Sequence, residues 1–123
     1  MNVRGLDHIV LNVADVERSL AWYTDVRGLA PERVEEWRAG EVPFPSVRVD
    51  AGCIIDLFGV DRTGENVNHI CLVVDPGEAE AIAVDGRFDV VTGPVPRWGA
   101  RGVASSVYVT DPDGNTVELR SYG

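Results

Sequence analysis

His8 and His69 are the only histidines in the chain, and they occupy matching places in a repeated pattern. Leu6-Asp7-His8-Ile9-Val10-Leu11 returns 61 positions later as Val67-Asn68-His69-Ile70-Cys71-Leu72. Two carboxylates repeat almost in step. Asp56 in Cys53-Ile54-Ile55-Asp56-Leu57-Phe58 and Glu118 in Thr116-Val117-Glu118-Leu119 stand 62 positions apart. A single histidine in an apolar strand is more often a satisfied core residue than a ligand, but the repetition favours a shared task. Two neutral imidazoles with one or two carboxylates, held on strands with coordination positions open, form a site for one divalent transition metal ion.

That chemistry needs the four side chains on one face, and strand alternation supplies it. Ile9, Leu11 and Val13 share a face, which leaves His8 on the other. Ile70, Leu72 and Val74 do the same for His69, Ile55 and Leu57 for Asp56, and Val117 and Leu119 for Glu118. If helices cover the apolar faces, the four polar groups point away from them and need a partner, because unpaired burial is costly. The spacing predicts strand 6–13, helix 15–27 capped by Asp15 and stopped by Gly28, and strands near 32–38, 45–50 and 53–59. Val16, Leu20 and Tyr23 form the helix's core-facing stripe. The second half reads as strand 67–74, helix 76–84, and strands near 87–91, 103–110 and 115–121. A hairpin turn is expected at Asp111–Asn115. The stretch from Thr92 to Gly102, rich in Gly and Pro, reads as a loop. The expectation is an α+β fold of two βαβββ modules, about 5–60 and 66–122, within one domain spanning 1–123. The modules form a pseudo-symmetric, curved eight-stranded sheet, a cup with helices outside.

Composition narrows the function. A chain of 123 residues, 45% hydrophobic and 25% charged, can build one core without disulfides or a structural metal. Twenty Asp and Glu against eleven basic residues give a net charge of -9, which argues against nucleic acid and anionic membranes as partners. Every basic residue is Arg, so lysine Schiff-base chemistry and a Walker-type phosphate loop are excluded. Cys53 and Cys71 sit in apolar runs and read as reduced core residues. With no leader-like h-region in MNVRGLDHIV and no long apolar run, a cytoplasmic location is expected.

The segments LDHIVLNVADVERSLAWYTDVRGL, NHICLVV and SVYVTDPDGNTVELRSYG resemble the glyoxalase/bleomycin-resistance/dioxygenase group, the vicinal oxygen chelate superfamily. The resemblance covers essentially the whole chain and is closest at its two ends. It implies the double-module cup and places metal ligands at His8, His69 and Glu118. Glyoxalase I enzymes add a fourth carboxylate, a Glu, at the position of Asp56, and Asp is one methylene shorter. Arg27 stands where the family pattern has an apolar residue, and it reads as a surface difference.

Alternation also places Ser46, Arg48, Ser106, Tyr108 and Thr110 in the cup, with Phe58 beside Asp56 and with Arg120 and Tyr122 beside Glu118. Arg48 would bind an anionic substrate group, with Phe58 and Tyr122 as further substrate contacts. Tyr108 would hydrogen-bond or donate a proton. The plainer alternative pairs Arg48 with Asp56 or Glu118 and makes Tyr108 a space-filler. Arg97, Trp98 and Arg101 form a lid or, equally, an exposed loop at a subunit contact. Both histidines being assigned to the metal, none is left for a nucleophilic triad. The expected activity is that of a metal-dependent lyase or isomerase, or a dioxygenase, with one divalent ion (Fe, Mn, Ni or Zn) and a small substrate chelating through adjacent oxygens. Proton transfer of the glyoxalase or epimerase type needs only a carboxylate base, Asp56 or Glu118, and is favoured. The alternatives are a non-catalytic bleomycin-resistance-type binding protein and an Fe(II) ring-cleaving dioxygenase. The family's dioxygenases generally use a third His, which this chain lacks. Sheet edges predict a homodimer.

Overall fold

Where apolar and polar residues alternate, the computed structural model has strands, and the chain forms an α+β fold with an eight-stranded mixed sheet and peripheral helices. The structure describes residues 1–26, 28–61, 64, 66–110 and 114–123, so positions 111–113 of the expected Asp111–Asn115 turn and the Arg27 position lie outside the described residues. The chain clusters into two compact units, Ile9–Asn68 and Met1–His8 with His69–Gly123. Strands β1 (Val3–Val13) and β5 (Val67–Val74) contribute to both.

In the unit Ile9–Asn68, Asp15 caps helix α1 (Val16–Ala21) by accepting from the Arg18 amide at 3.0 Å. The helix expected over 15–27 instead loosens into a π-helical turn at Trp22–Val26. Gly28 follows at φ 74°, where glycine carries no Cβ penalty. Strand β2 is only Ala30–Glu32, and helix α2 (Val34–Arg38) replaces the strand expected near 32–38. Val34 and Trp37 are three residues apart and reach one core, a helical rather than a strand spacing. Strands β3 (Ser46–Asp50) and β4 (Cys53–Gly59) pair antiparallel, setting Ser46 opposite Asp56. Val16, Leu20, Val47 and Leu57 form the core, with Val13 and Ile55 against it. Val49 alternates with the buried Val47 yet is 48% exposed, where the ladder shifts register between Arg48 and Asp50.

In the other unit, helix α3 (Glu78–Ala83) lies on strands β5, β7 (Gly102–Thr110) and β8 (Thr116–Ser121). Val74, Val107, Val109 and Leu119 bury against Ala79 and Ile82, with Leu72 and Val117 packed beside them. This is the helix-facing set that alternation requires. It turns His69, Tyr108 and Glu118 to the opposite face. Strand β6 (Asp89–Gly99) runs through the stretch expected to be a loop. It is an edge strand, where Pro94 and Pro96 are tolerated, and its ladder with β7 shifts register between Thr92 and Val95. Strands β5 and β8 run parallel with Cys71 beside Glu118, and β7 pairs antiparallel with β8, placing Tyr108 opposite Glu118. No helix among the described residues is long and apolar enough to cross a membrane.

Candidate metal centre

Three strands of one unit bring together His8 (β1), His69 (β5) and Glu118 (β8). One ligand atom from each lies within 4.8 Å of the others. Glu118 Oε1 is 3.2 Å from His8 Nε2 and 3.1 Å from His69 Nε2. The two rings meet edge to face at 5.5 Å between centroids. His8 and Glu118 are almost wholly buried, and His69 is half-buried.

Each buried ligand is held from behind. His8 Nδ1 donates to Asp7 Oδ1 at 2.6 Å, which directs Nε2 into the cluster. Glu118 Oε2 accepts from Ser106 Oγ at 2.7 Å and Arg120 Nη1 at 2.9 Å, which aims Oε1 at the imidazoles. Burial alone would push the Glu118 carboxyl up. The hydrogen bonds from His69, His8 and Ser106 outweigh it and hold the group well below the usual carboxylate range. The donor set is therefore two imidazole nitrogens and one ionised carboxylate oxygen, which suits a divalent transition metal. Asp7, His8 and Cys71 form a second close group. Burial pushes the Cys71 thiol up, away from the thiolate that metal binding requires. Neither Cys71 nor Cys53 is in a disulfide.

Tyr108 stands at the rim, its ring 5.5 Å from that of His69 and under the Arg97 guanidinium at 5.8 Å. Burial, and after it the charge of Glu118, push its phenol up, so at neutral pH it is a donor. In the other unit, Asp56 is buried and accepts from Ser46 Oγ at 2.5 Å. Arg48 clasps Glu32 through Nε at 2.5 Å and Nη2 at 3.0 Å. Phe58 stacks edge to face on Phe44 at 5.8 Å. Tyr122 donates its hydroxyl to Asp7 and accepts from the Arg101 amide, with its ring under the Arg101 guanidinium at 4.2 Å. Of the residues read as a lid or, equally, an exposed loop at a subunit contact, Arg97 and Trp98 instead lie in the β6–β7 ladder, and Arg101 lies in the turn between those strands.

Asp7 escaped the sequence reading. Alternation puts it on the face opposite His8, yet both are buried and bonded. An acid adjoining a candidate histidine, with Arg120 alternating with Glu118, was the signal available.

An α+β fold with an eight-stranded mixed sheet and a His/His/Glu cluster within one unit is that of a protein able to bind a metal ion. The chain belongs to the glyoxalase/bleomycin resistance protein/dioxygenase superfamily, whose family model matches residues 5–119. It is 31% identical over 123 residues to a probable lactoylglutathione lyase of Vibrio parahaemolyticus, covering 91% of this chain and 86% of that protein. It is 29% identical over 135 residues to the glyoxalase domain-containing protein RDO1 of Mycosarcoma maydis, covering 99% of this chain and 70% of that one. The fold matches the Mn(II)-bound glyoxalase from Novosphingobium aromaticivorans with a TM-score of 0.75 at 20% identity. That match covers 98% of this chain and 39% of the larger one.

Proposed function

We propose that this chain is a divalent-metal-dependent enzyme catalysing glyoxalase- or epimerase-like proton transfer on a small substrate that chelates through adjacent oxygens. The observation carrying this reading is the buried set of His8 Nε2, His69 Nε2 and Glu118 Oε1 within 4.8 Å. These residues would hold one ion of the Fe, Mn, Ni or Zn class. When bound, the metal supplies Lewis-acid polarisation of the substrate oxygens. The similarity to a probable lactoylglutathione lyase supports a lyase or isomerase over other chemistries.

The protein's own groups divide the remaining work. Tyr108 keeps its proton and donates a hydrogen bond to the oxygen on which negative charge develops. Asp56, related to Glu118 by the sequence repeat, is the candidate base that takes the proton from carbon and returns it. Phe58 would add apolar substrate contact. Arg48 and Tyr122, also expected to touch substrate, have polar atoms engaged with Glu32 and Asp7, so their part would be steric and electrostatic. A homodimer in solution completes the proposal.

The test is solvent exchange. Metal-loaded protein in deuterated water is expected to exchange the hydrogen alpha to the carbonyl in small 2-hydroxy or 2-oxo carbonyl compounds, without oxygen uptake. Asp56→Asn should keep the metal and lose exchange, whereas Glu118→Gln should lose the metal. Oxygen uptake with catechol-like compounds would assign the protein to the ring-cleaving class. Ligand binding that is indifferent to metal, with no exchange, would make it a sequestering protein.

A further inference from the structure

Behind the cluster lies a buried ionic assembly that the proton-transfer reading leaves without a task. Asp7 and Arg120 are both 0% exposed. Arg120 Nη1 reaches Glu118 Oε2 at 2.9 Å and Ser106 Oγ at 3.3 Å. Its Nη2 is pinned by the carbonyls of Arg97 and Gly102, each at 2.9 Å, and Nε stands 3.5 Å from Asp7 Oδ2. Asp7 Oδ1 accepts from His8 Nδ1 at 2.6 Å and from the Ala100 amide at 2.9 Å, while Oδ2 accepts from the Tyr122 hydroxyl. One guanidinium thus lies between the carboxylate that orients His8 and the carboxylate that faces both imidazoles.

The chain has made room for this arrangement. A Cβ on Gly99 would lie 2.5 Å from Arg120 Cζ and 2.7 Å from Asp7 Oδ1, so that position takes no larger residue without displacing the pair. Arginine is suited to the task because its planar fork holds several acceptors at fixed angles, whereas an ammonium is a point charge. The charge count points the same way. Two buried carboxylates face one guanidinium and the His8 and His69 rings, and a cation held between the rings would add to the positive charge opposing those carboxylates. The side of Glu118 that faces the two imidazoles is where that cation would sit.

We propose that Asp7 and Arg120 are positioning residues of the metal centre, jointly fixing His8 Nε2 and Glu118 Oε1 as its donor atoms without touching the ion. The proposal rests on the metal reading above. Removing such outer partners usually costs about 10- to 100-fold in metal affinity.

The experiment titrates metal-free full-length protein with Mn(II), following free Mn(II) by electron paramagnetic resonance, and with Co(II), following its visible bands. Asp7→Asn and Arg120→Lys should each bind about 10- to 100-fold more weakly, with altered Co(II) bands, while still melting cooperatively without metal. The double variant should lose less than the product of the two single losses, because both act through one network. Val107→Ala, in the helix-facing core, supplies the control: it should lower the melting temperature and leave Mn(II) affinity unchanged. If Asp7→Asn matches wild type within twofold, or if Val107→Ala loses as much affinity, the positioning role is wrong although the metal reading stands. If wild type binds neither Mn(II) nor Co(II), both fall together.

Discussion

Asp7 and Glu118 are acids that the fold keeps ionised. Burial would raise the Asp7 carboxyl, but hydrogen bonds from His8, Tyr122 and the Ala100 amide, with the charge of Arg120, hold it below the usual range. Glu118 is lowered further by its own set of donors. A carboxyl depressed on folding contributes stability that is complete above its unfolded pKa of about 4 and is lost as pH falls below it. The melting temperature of the metal-free protein should therefore hold between pH 7 and 5 and drop steeply from pH 4.5 to 3. Asp7→Asn should flatten that drop, and an equal drop in both proteins would contradict the assignment. At this scale the clustering of His8, His69 and Glu118 was legible because the two histidines recur in register and Glu118 recurs within one position of register with Asp56. Asp7 was not, because its importance comes from Arg120 and Tyr122, far away in sequence.

Strands β4, β5, β7 and β8 were legible as short apolar runs in which one face of each packs against a helix. Two segments misled. Val34 and Trp37 carry a helical spacing in a stretch too short for periodicity to decide, and the segment is α2. The Gly- and Pro-bearing run before Gly102 is the long edge strand β6, whose turn into β7 brings the Ala100 amide to Asp7. The same turn gives a sharp prediction. Gly99→Ala would push a methyl into Arg120 and Asp7, costing about 1–3 kcal/mol by overpacking alone. A fall of several degrees in melting temperature is expected, together with weaker metal binding. Unchanged melting would show that the close approach is not part of the native packing.

For the molecule as a whole, the net charge of -9 and the absence of lysine narrow the chemistry but say nothing of assembly. The edge strand β6 carries exposed Val90 and Val91, and β7 exposes Val103; apolar residues at an edge are commonly covered by a second copy. Sedimentation at micromolar concentration should give a dimer, and a clean monomer would refute that expectation. Protein purified without chelator or an affinity metal, then analysed for metals by mass spectrometry, is predicted to carry about one divalent transition metal ion per chain. His8→Ala and His69→Ala should each bring that to background while remaining folded. A wild-type protein that stays metal-free after incubation with Mn(II), Fe(II), Ni(II) and Zn(II), or a histidine variant that keeps its full complement, would contradict the account.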